Sequence, residues 1–341
     1  MENYFINRDF FKRYRSTTSE LLRKSTLEND VFSIVIPTYG RFELLKKAIN
    51  SCLTQSFKDP FEIVIVDNDP TRGNGTEQLI ESIDDPRITY YKNSENIGCI
   101  GNFNRCIELT SSKYLIMLHT DDLLDSSFLE RIVPLIQNNR DIDILIPGKR
   151  IIRNGKTEKQ RGYNSLGKLP GLRNKGVRLS EKDFSLYNIA GGPIGIVMKK
   201  DACIELGGFD ERVFPMSDYA FWVRAAMNCK VVNVPITLGS YRFLDNISSE
   251  TGMQLSYIRN EYDLMSHLIE GMRFEKAFRY YLPEYVRYRL RRAKAFNNTE
   301  FTKVTGHPYR WNLFSRLVYY AVIISMVFSY AGRAMKSDMT I

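Results

Sequence analysis

Short apolar runs, each stopped by a polar cluster, recur along the first half of the chain. Val31–Ile36, Phe61–Val66, Lys113–Leu118 and Ile142–Ile146 are mostly apolar without alternation, which predicts strands buried on both faces. Arg87–Tyr91 is expected to add another strand. Between them Phe42, Leu45, Ile49 and Leu53 fall at helical spacing, and helices are predicted over Thr76–Ile83, Asn102–Leu109 and Phe128–Gln137. Strands returning roughly every 26–30 residues with a helix between them predict βαβ units and a parallel sheet. Ligands of open α/β sheets gather at the carboxyl ends of strands. Here those ends are Pro37-Thr38-Tyr39-Gly40, Asp67-Asn68-Asp69 and Asp121-Asp122, so all three clusters are expected at one crevice.

Asp121 and Asp122 carry the sharpest chemistry. Adjacent carboxylates repel unless a positive group lies beside them, and their hard oxygens suit Mg²⁺ or Mn²⁺ carrying a phosphate. The alternative is that one of them caps the helix expected to start near Asp125-Ser126-Ser127. The residues alone leave both readings open. Further on, Tyr219, Trp222 and Val223 suit a helix with Asp218 in its first turn, and on spacing alone Asp218 reads as a stabiliser of the helix dipole. Arg150 to Asn188 is looser and polar, and is read as a loop that shapes an acceptor site. Residues 1–30 mix aromatic and basic side chains, as expected of a short helical arm packed on the domain.

Composition narrows the class. The 341 residues are 43% hydrophobic, enough for one large core or two modest ones. Five cysteines without a Cys-x-x-Cys pair and three scattered histidines suggest neither a zinc site nor a disulfide framework, in keeping with a reducing compartment. Met1 to Phe10 has no apolar segment of signal-peptide type, so secretion by that route is not expected. The net charge of +9 favours anionic partners, and much of the excess lies between Arg273 and Lys294. There Leu282, Val286, Leu290 and Ala293 recur at helical spacing beside Arg287, Arg291 and Lys294. Such a helix suits an anionic membrane surface or packs on the rest of the protein with a solvated basic face; both readings stay open. The uncharged run Leu317–Gly332, bracketed by Arg316 and Arg333, is shorter than the ~20 residues of a spanning helix, which predicts interfacial or shallow insertion. A basic cluster next to an apolar tail argues against nucleic acid as the partner.

In order along the chain, these motifs resemble those of family 2 glycosyltransferases, inverting enzymes of the GT-A fold. Ser33–Arg41 resembles the opening strand and loop, with Gly40 where Asn is more usual; Glu62–Asn68 resembles the second strand; Asn93–Gly98 resembles the segment beside the nucleotide. Leu118-His119-Thr120-Asp121-Asp122 resembles the metal-binding strand end, with His119 at the first position of the Asp-x-Asp-Asp pattern that many members carry. Gly207-Gly208-Phe209-Asp210 and Ser217-Asp218-Tyr219 resemble the acceptor-side loop and the motif of the catalytic base, with Ser217 replacing a frequent Glu.

The resemblance implies an α/β fold of GT-A type, a Rossmann-like and mostly parallel sheet flanked by helices, with a C-terminal helical extension. Its expected parts are an N-terminal arm (1–30), a catalytic domain (31–245) and a helical, membrane-associating region (246–341). It implies Asp218 as general base, Asp122 with Asp121 as ligands of Mg²⁺ or Mn²⁺, and Pro37, Thr38, Tyr39, Asp67, Asn96, Asp121 and Arg242 around the nucleotide-sugar. The implied reaction moves a sugar from a nucleotide diphosphate, uridine diphosphate being the expected carrier, to a hydroxyl of a saccharide acceptor, itself expected to be lipid-linked. The implied setting is surface polysaccharide synthesis of O-antigen type, on the cytoplasmic face of the plasma membrane. Two other classes compete: a non-catalytic membrane-docked sugar-binding or assembly subunit of the same fold, and a sugar nucleotidyltransferase. The second would carry a Gly-rich basic loop after its first strand, of which Pro37-Thr38-Tyr39-Gly40-Arg41 is a poor version.

Overall fold

The computed structural model describes residues 4–28, 31–153, 155–158, 175–243, 250–272 and 275–339. The first part of the chain follows the predicted alternation: β1 (Ser19–Arg23), β2 (Phe32–Thr38), α1 (Phe42–Leu53), β3 (Glu62–Asp67), α2 (Gly75–Glu81), β4 (Ile88–Asn93), α3 (Gly98–Leu109), β5 (Tyr114–Met117), β6 (Leu123–Leu124) and α4 (Phe128–Asn138). It continues with β7 (Ile144–Arg153), β8 (Lys156–Thr157), β9 (Val177–Leu179), β10 (Ile196–Lys199), α5 (Lys200–Glu205), α6 (Ser217–Asn228) and β11 (Val231–Phe243). Helices α7 (Thr251–Ile269), α8 (Glu275–Arg292), α9 (Asn298–Thr305) and α10 (Leu313–Met335) close the chain.

The main sheet path runs β1-β4-β3-β2-β5-β10-β7-β11-β6. Strands β4, β3, β2 and β5 are mutually parallel, in a register that sets Thr38 beside Asp67. Beyond β5 the sheet is mixed, because β10 pairs antiparallel with both β5 and β7. The reason is visible in the register: Ile196 opens β10 opposite Met117, which closes β5. The Ala190–Gly195 segment therefore crosses the carboxyl end of β5 before the chain runs back down. Only Ile196–Lys199 of the apolar stretch from Ile189 to Met198 and its flank is strand.

Alternate strand residues feed two cores, one on each face of the sheet. Val35, Val64, Val66, Leu115 and Met117 pack with Phe209, Phe221 and Trp222, while Ile34, Ile36, Ile63, Ile65 and Ile116 pack with Leu45, Ile49, Phe128 and Ile132. Burial of both faces is why the strands read as continuous apolar runs.

Three expectations need correction. The N-terminal arm is not mainly helical: it has one 3₁₀ turn, Phe11–Tyr14, and then strand β1, antiparallel on β4. An open sheet edge offers a row of unpaired N–H and C=O groups, and Ser19–Arg23 takes them up. Next, β7 runs on to Arg153, and β8 and β9 follow, so part of the presumed 150–188 loop extends the sheet; residues 154 and 159–174 lie outside the described residues. Finally, the uncharged run Leu317–Gly332 is only part of a helix of 23 residues, so it is the length that the structure corrects; that helix is long and apolar enough to cross a membrane by length and composition.

The C-terminal helices also decide the fate of the basic amphipathic segment. On α8, Phe278, Tyr281, Leu282, Tyr285 and Val286 are buried, packed against α7 and α10 or α9. Arg289 of α8 meets Glu261 of α7 at 2.6 Å. The apolar face of α8 is thus consumed inside the protein. Helix α10 is two-sided: Val322, Tyr330 and Ala334 are buried, and Tyr330 Oη donates to Asn233 Oδ1 of β11 at 2.5 Å. Its other side exposes Leu313, Leu317, Tyr320, Ile324 and Phe328, the last at 72%.

Candidate active site

The end of β3 is a closed hydrogen-bond network. Asp67 is buried, and its Oδ2 accepts from Tyr90 Oη at 2.9 Å, Lys92 Nζ at 2.8 Å and Asn74 Nδ2 at 3.3 Å. Its Oδ1 accepts from the Asp69 amide at 3.0 Å. Asn68 next to it donates to Asn96 Oδ1 at 2.7 Å, and its own Oδ1 accepts from Asn93 Nδ2 and the Ile97 amide, both at 3.0 Å. Asn96 Oδ1 also accepts from the amide of Gly98, which holds φ +73° at the start of α3. The structure brings Asn96 to the Asp67 strand end through Asn68, and adds a buried lysine, Lys92, that sequence reading did not single out.

One strand over, the end of β2 is joined to the Asp pair: Thr120 Oγ1 donates to the Pro37 carbonyl at 2.8 Å. Thr38 is buried with no partner for Oγ1, while Tyr39 stands half exposed beside it. The segment His119–Asp122 turns tightly, with the Asp122 amide donating to the His119 carbonyl at 3.0 Å. Strand β6 then pairs with Gly239 and Ser240 of β11, which draws Arg242 to the turn. The Arg242 amide donates to Asp122 Oδ1 at 2.9 Å and its Nε to the Asp121 carbonyl at 2.5 Å, leaving Nη2 buried without a partner. Asp121 Oδ2 lies 3.3 Å from Arg41 Nη1.

Asp122 is fully buried, and its Oδ2 has no hydrogen-bond partner. Burial first, and the Asp121 charge second, push its carboxyl well above the usual carboxylate range. A cation at Oδ2 would relieve both penalties, so the residues fit a divalent ion. Ligand atoms of His119, Asp121 and Asp122 lie within 4.8 Å of one another, the group of this kind found among the described residues. The capping alternative does not hold: α4 begins after Ser127 without a side-chain cap, and Asp125 forms a two-bond pair with Arg150 at 2.6 and 2.7 Å.

Asp218 sits in the first turn of α6, as expected, and its Oδ1 accepts from the Tyr219 amide at 2.7 Å. Burial drives its carboxyl up to about 7, against the Tyr219 amide and the Lys149 ammonium, which favour the charged form. The helix is fastened by Tyr219 Oη, which donates to the Phe184 carbonyl, and by Trp222 Nε1, which donates to the Gly191 carbonyl at 2.8 Å. The Gly207-Gly208 pair serves the N-terminal segment. A Cβ on Gly207, at φ +81°, would fall 1.6 Å from the Arg8 carbonyl oxygen.

Lys149 was missed by sequence reading. Its Nζ donates to the Gly192 carbonyl at 2.6 Å, and the charges of Asp122 and Asp218 both act on it. Burial lowers its ammonium to about 8 in spite of those carboxylates. The signal was a lysine three residues past the apolar run Ile142–Ile146, towards the end where the other site residues collect. Lys149 thereby electrostatically links two carboxylates far apart in sequence.

A mixed sheet with paired carboxylates, an arginine and a half-buried helix-start aspartate at its ligand end is the arrangement that the resemblance to glycosyltransferases of GT-A type implies. Comparison with known proteins agrees: residues 33–198 match the family model described as glycosyl transferase family 2. An uncharacterized glycosyltransferase of Methanocaldococcus jannaschii is 27% identical over 76% of this chain and 89% of its own. The GalNAc(5)-diNAcBac-PP-undecaprenol beta-1,3-glucosyltransferase of Campylobacter jejuni is 28% identical over 56% of this chain and 58% of its own. Among solved structures, S. aureus TarS 1-349 in complex with UDP-GlcNAc superposes with a TM-score of 0.55 at 16% identity, over 87% of this chain and 81% of that one. The mannosyltransferase PcManGT of Pyrobaculum calidifontis, in complex with GDP-Man and Mn²⁺, gives 0.53 at 13% identity, over 95% and 92%. At such identities the structures speak for the fold. Residues 33–198 are a family 2 glycosyltransferase domain, and the protein is a glycosyltransferase.

Proposed function

We propose that the protein is an inverting transferase that moves a sugar from a uridine diphosphate donor to a hydroxyl of a lipid-linked saccharide during surface polysaccharide synthesis. The observation that carries this reading is a set of buried polar atoms without protein partners: Thr38 Oγ1, His119 Nε2, Asp122 Oδ2, Ser217 Oγ and Arg242 Nη2. Buried polar groups are normally hydrogen-bonded, and orphans gathered at strand ends and at the start of α6 mark where a polar ligand completes them. The lipid-linked acceptor in the Campylobacter relative's name supports the choice of acceptor, and the donors carried by two structural neighbours, UDP-GlcNAc and GDP-Man, support a nucleoside-diphosphate sugar.

In this reading residues 31–245 do the chemistry and 246–341 hold the enzyme at the membrane. Asp122, with Asp121 at the ion or the ribose, would hold Mg²⁺ or Mn²⁺, which would supply positive charge against the departing diphosphate. Arg242 Nη2 donates to the same diphosphate. Pro37, Thr38, Tyr39, Asp67 and Asn96 shape the nucleotide side, Asp67 by anchoring the strand end with its oxygens already bonded. Asp218 takes the proton of the acceptor hydroxyl as its oxygen bonds to the anomeric carbon, while the bond to the diphosphate oxygen breaks and its electron pair leaves with that oxygen. One displacement inverts the anomeric centre. The exposed apolar stripe of α10, rather than α8, supports peripheral attachment to the cytoplasmic face of the plasma membrane.

The test is nucleotide release from a panel of nucleotide-sugars with Mg²⁺ or Mn²⁺ and membrane-extracted acceptor lipids. Acceptor-dependent release with one donor, lost in Asp122→Ala and Asp218→Asn, is the expected result. Release that persists unchanged in both variants would overturn the site assignment.

A further inference from the structure

We infer that His119 is a nitrogen ligand of the divalent ion and makes this centre prefer Mn²⁺ over Mg²⁺; the inference rests on the proposed ion site at Asp122. Three observations carry it. His119 Nδ1 lies 3.9 Å from Asp122 Oδ2. That separation is too long for a hydrogen bond, yet two ligands sharing one ion at about 2.1–2.2 Å each stand roughly 3.0–4.3 Å apart. Next, Asp122 Oδ2 is itself fully buried and unpartnered, so the gap between the two atoms is bordered by an acceptor that nothing in the protein satisfies.

The third observation is that the ring is held in place. It stacks on Phe103 with centroids 4.9 Å apart and planes 23° off parallel, and its Cε1 would be 3.7 Å from a Cβ on Gly192. An imidazole fixed in this way costs little further ordering when it binds an ion. Oxygen-only sets suit Mg²⁺, whereas imidazole nitrogen favours the later divalent ions of the first transition row. With Nδ1 on the ion, the buried Nε2 remains as a donor for an oxygen of the bound ligand.

The experiment is direct ion binding to the full-length protein, read without turnover. Electron spin-echo modulation on bound Mn²⁺ reports coupling to ¹⁴N from a ligated imidazole. The wild type should show it and His119→Ala should lose it. Of the other two histidines, His267 Nδ1 lies 2.8 Å from the Asp263 carbonyl oxygen, and His307 is exposed. His119→Asp restores an all-oxygen set and should lower the ratio of Mn²⁺ to Mg²⁺ affinity by about tenfold. Wild-type Mn²⁺ that lacks ¹⁴N coupling, while Asp122→Ala still abolishes binding, would overturn the role of His119 and leave the carboxylate site standing. Mn²⁺ binding unchanged in Asp122→Ala would instead overturn the ion site itself. The wild-type spectrum decides the nitrogen ligand whether or not either histidine variant folds.

Discussion

Asp67 and Asp122 are both fully buried carboxylates, one closing β3 and the other just past β5, two parallel strands with β2 between them, and the protein treats them in opposite ways. Asp67 has Lys92, Tyr90, Asn74 and a backbone amide around its two oxygens. Asp122 has one backbone amide on Oδ1, nothing on Oδ2, and a second carboxylate beside it. A buried charge that is fully paired is part of the scaffold; one left incomplete is held at a cost that only a ligand removes. The contrast separates the end of β3, where the polar groups around Asp67 and Asn68 are bonded to each other, from the turn after β5, where Asp122 Oδ2 and Arg242 Nη2 have no protein partner.

The sharpest way to break that contrast is Asp122→Ala, which should lower turnover about 10²–10³-fold while leaving thermal stability unchanged or raised, since it removes an uncompensated charge. A large loss of melting temperature in this variant would mean that Asp122 is scaffold after all. Asp218→Asn should cost about 10²-fold or more in kcat with little change in donor binding, measured by calorimetry. For the wild type, a base whose carboxyl is held near 7 must be ionised to act, so log kcat should rise with pH and level off above about 7.

Asp67→Ala should behave in the reverse sense to Asp122→Ala. It strands Lys92 in the core and should destabilise the fold by about 3–5 kcal/mol in chemical denaturation, with ion binding at the folded site retained. Lys149→Met is a finer probe of the reaction side. Removing a cation that favours the ionised form of Asp218 should move the acid limb of the pH profile to higher pH; a limb that stays in place would show that Lys149 does not reach Asp218. The smallest effect on catalysis is expected from Ile324→Asp with Phe328→Asp on α10. Flotation with anionic vesicles should weaken severalfold while activity on a detergent-dispersed acceptor stays the same, because both side chains are exposed and neither is among the residues assigned to the site.

Much of the fold was legible because the signals are local. Apolar runs such as Ser33–Ile36 and Glu62–Val66 alternate into two cores, so strand type, strand ends and intervening helices follow from nearest-neighbour pattern. Asp121, Asp122 and Asp218 were legible as positions at a strand end and in a helix start. Other features had no local signal. Ser19–Arg23 becomes a strand only because β4 offers an edge. The amphipathic pattern of Leu282, Val286 and Leu290 is the same for a helix facing lipid as for one packed inside, and its neighbours α7, α9 and α10 made the choice.

The sequence by itself determined which carboxylates stand at strand ends and which elements carry them, since those follow from the spacing of apolar side chains over a few residues. Only the tertiary structure decided what each carboxylate meets there. Lys92 reaches Asp67 across 25 residues, the Arg242 amide reaches Asp122 across 120, and Lys149 lies between Asp122 and Asp218 in its electrostatics. The physical reason is that desolvation and charge pairing act through space: the protonation and ligand appetite of a buried group depend on partners that the sheet order, not the local pattern, brings to its side.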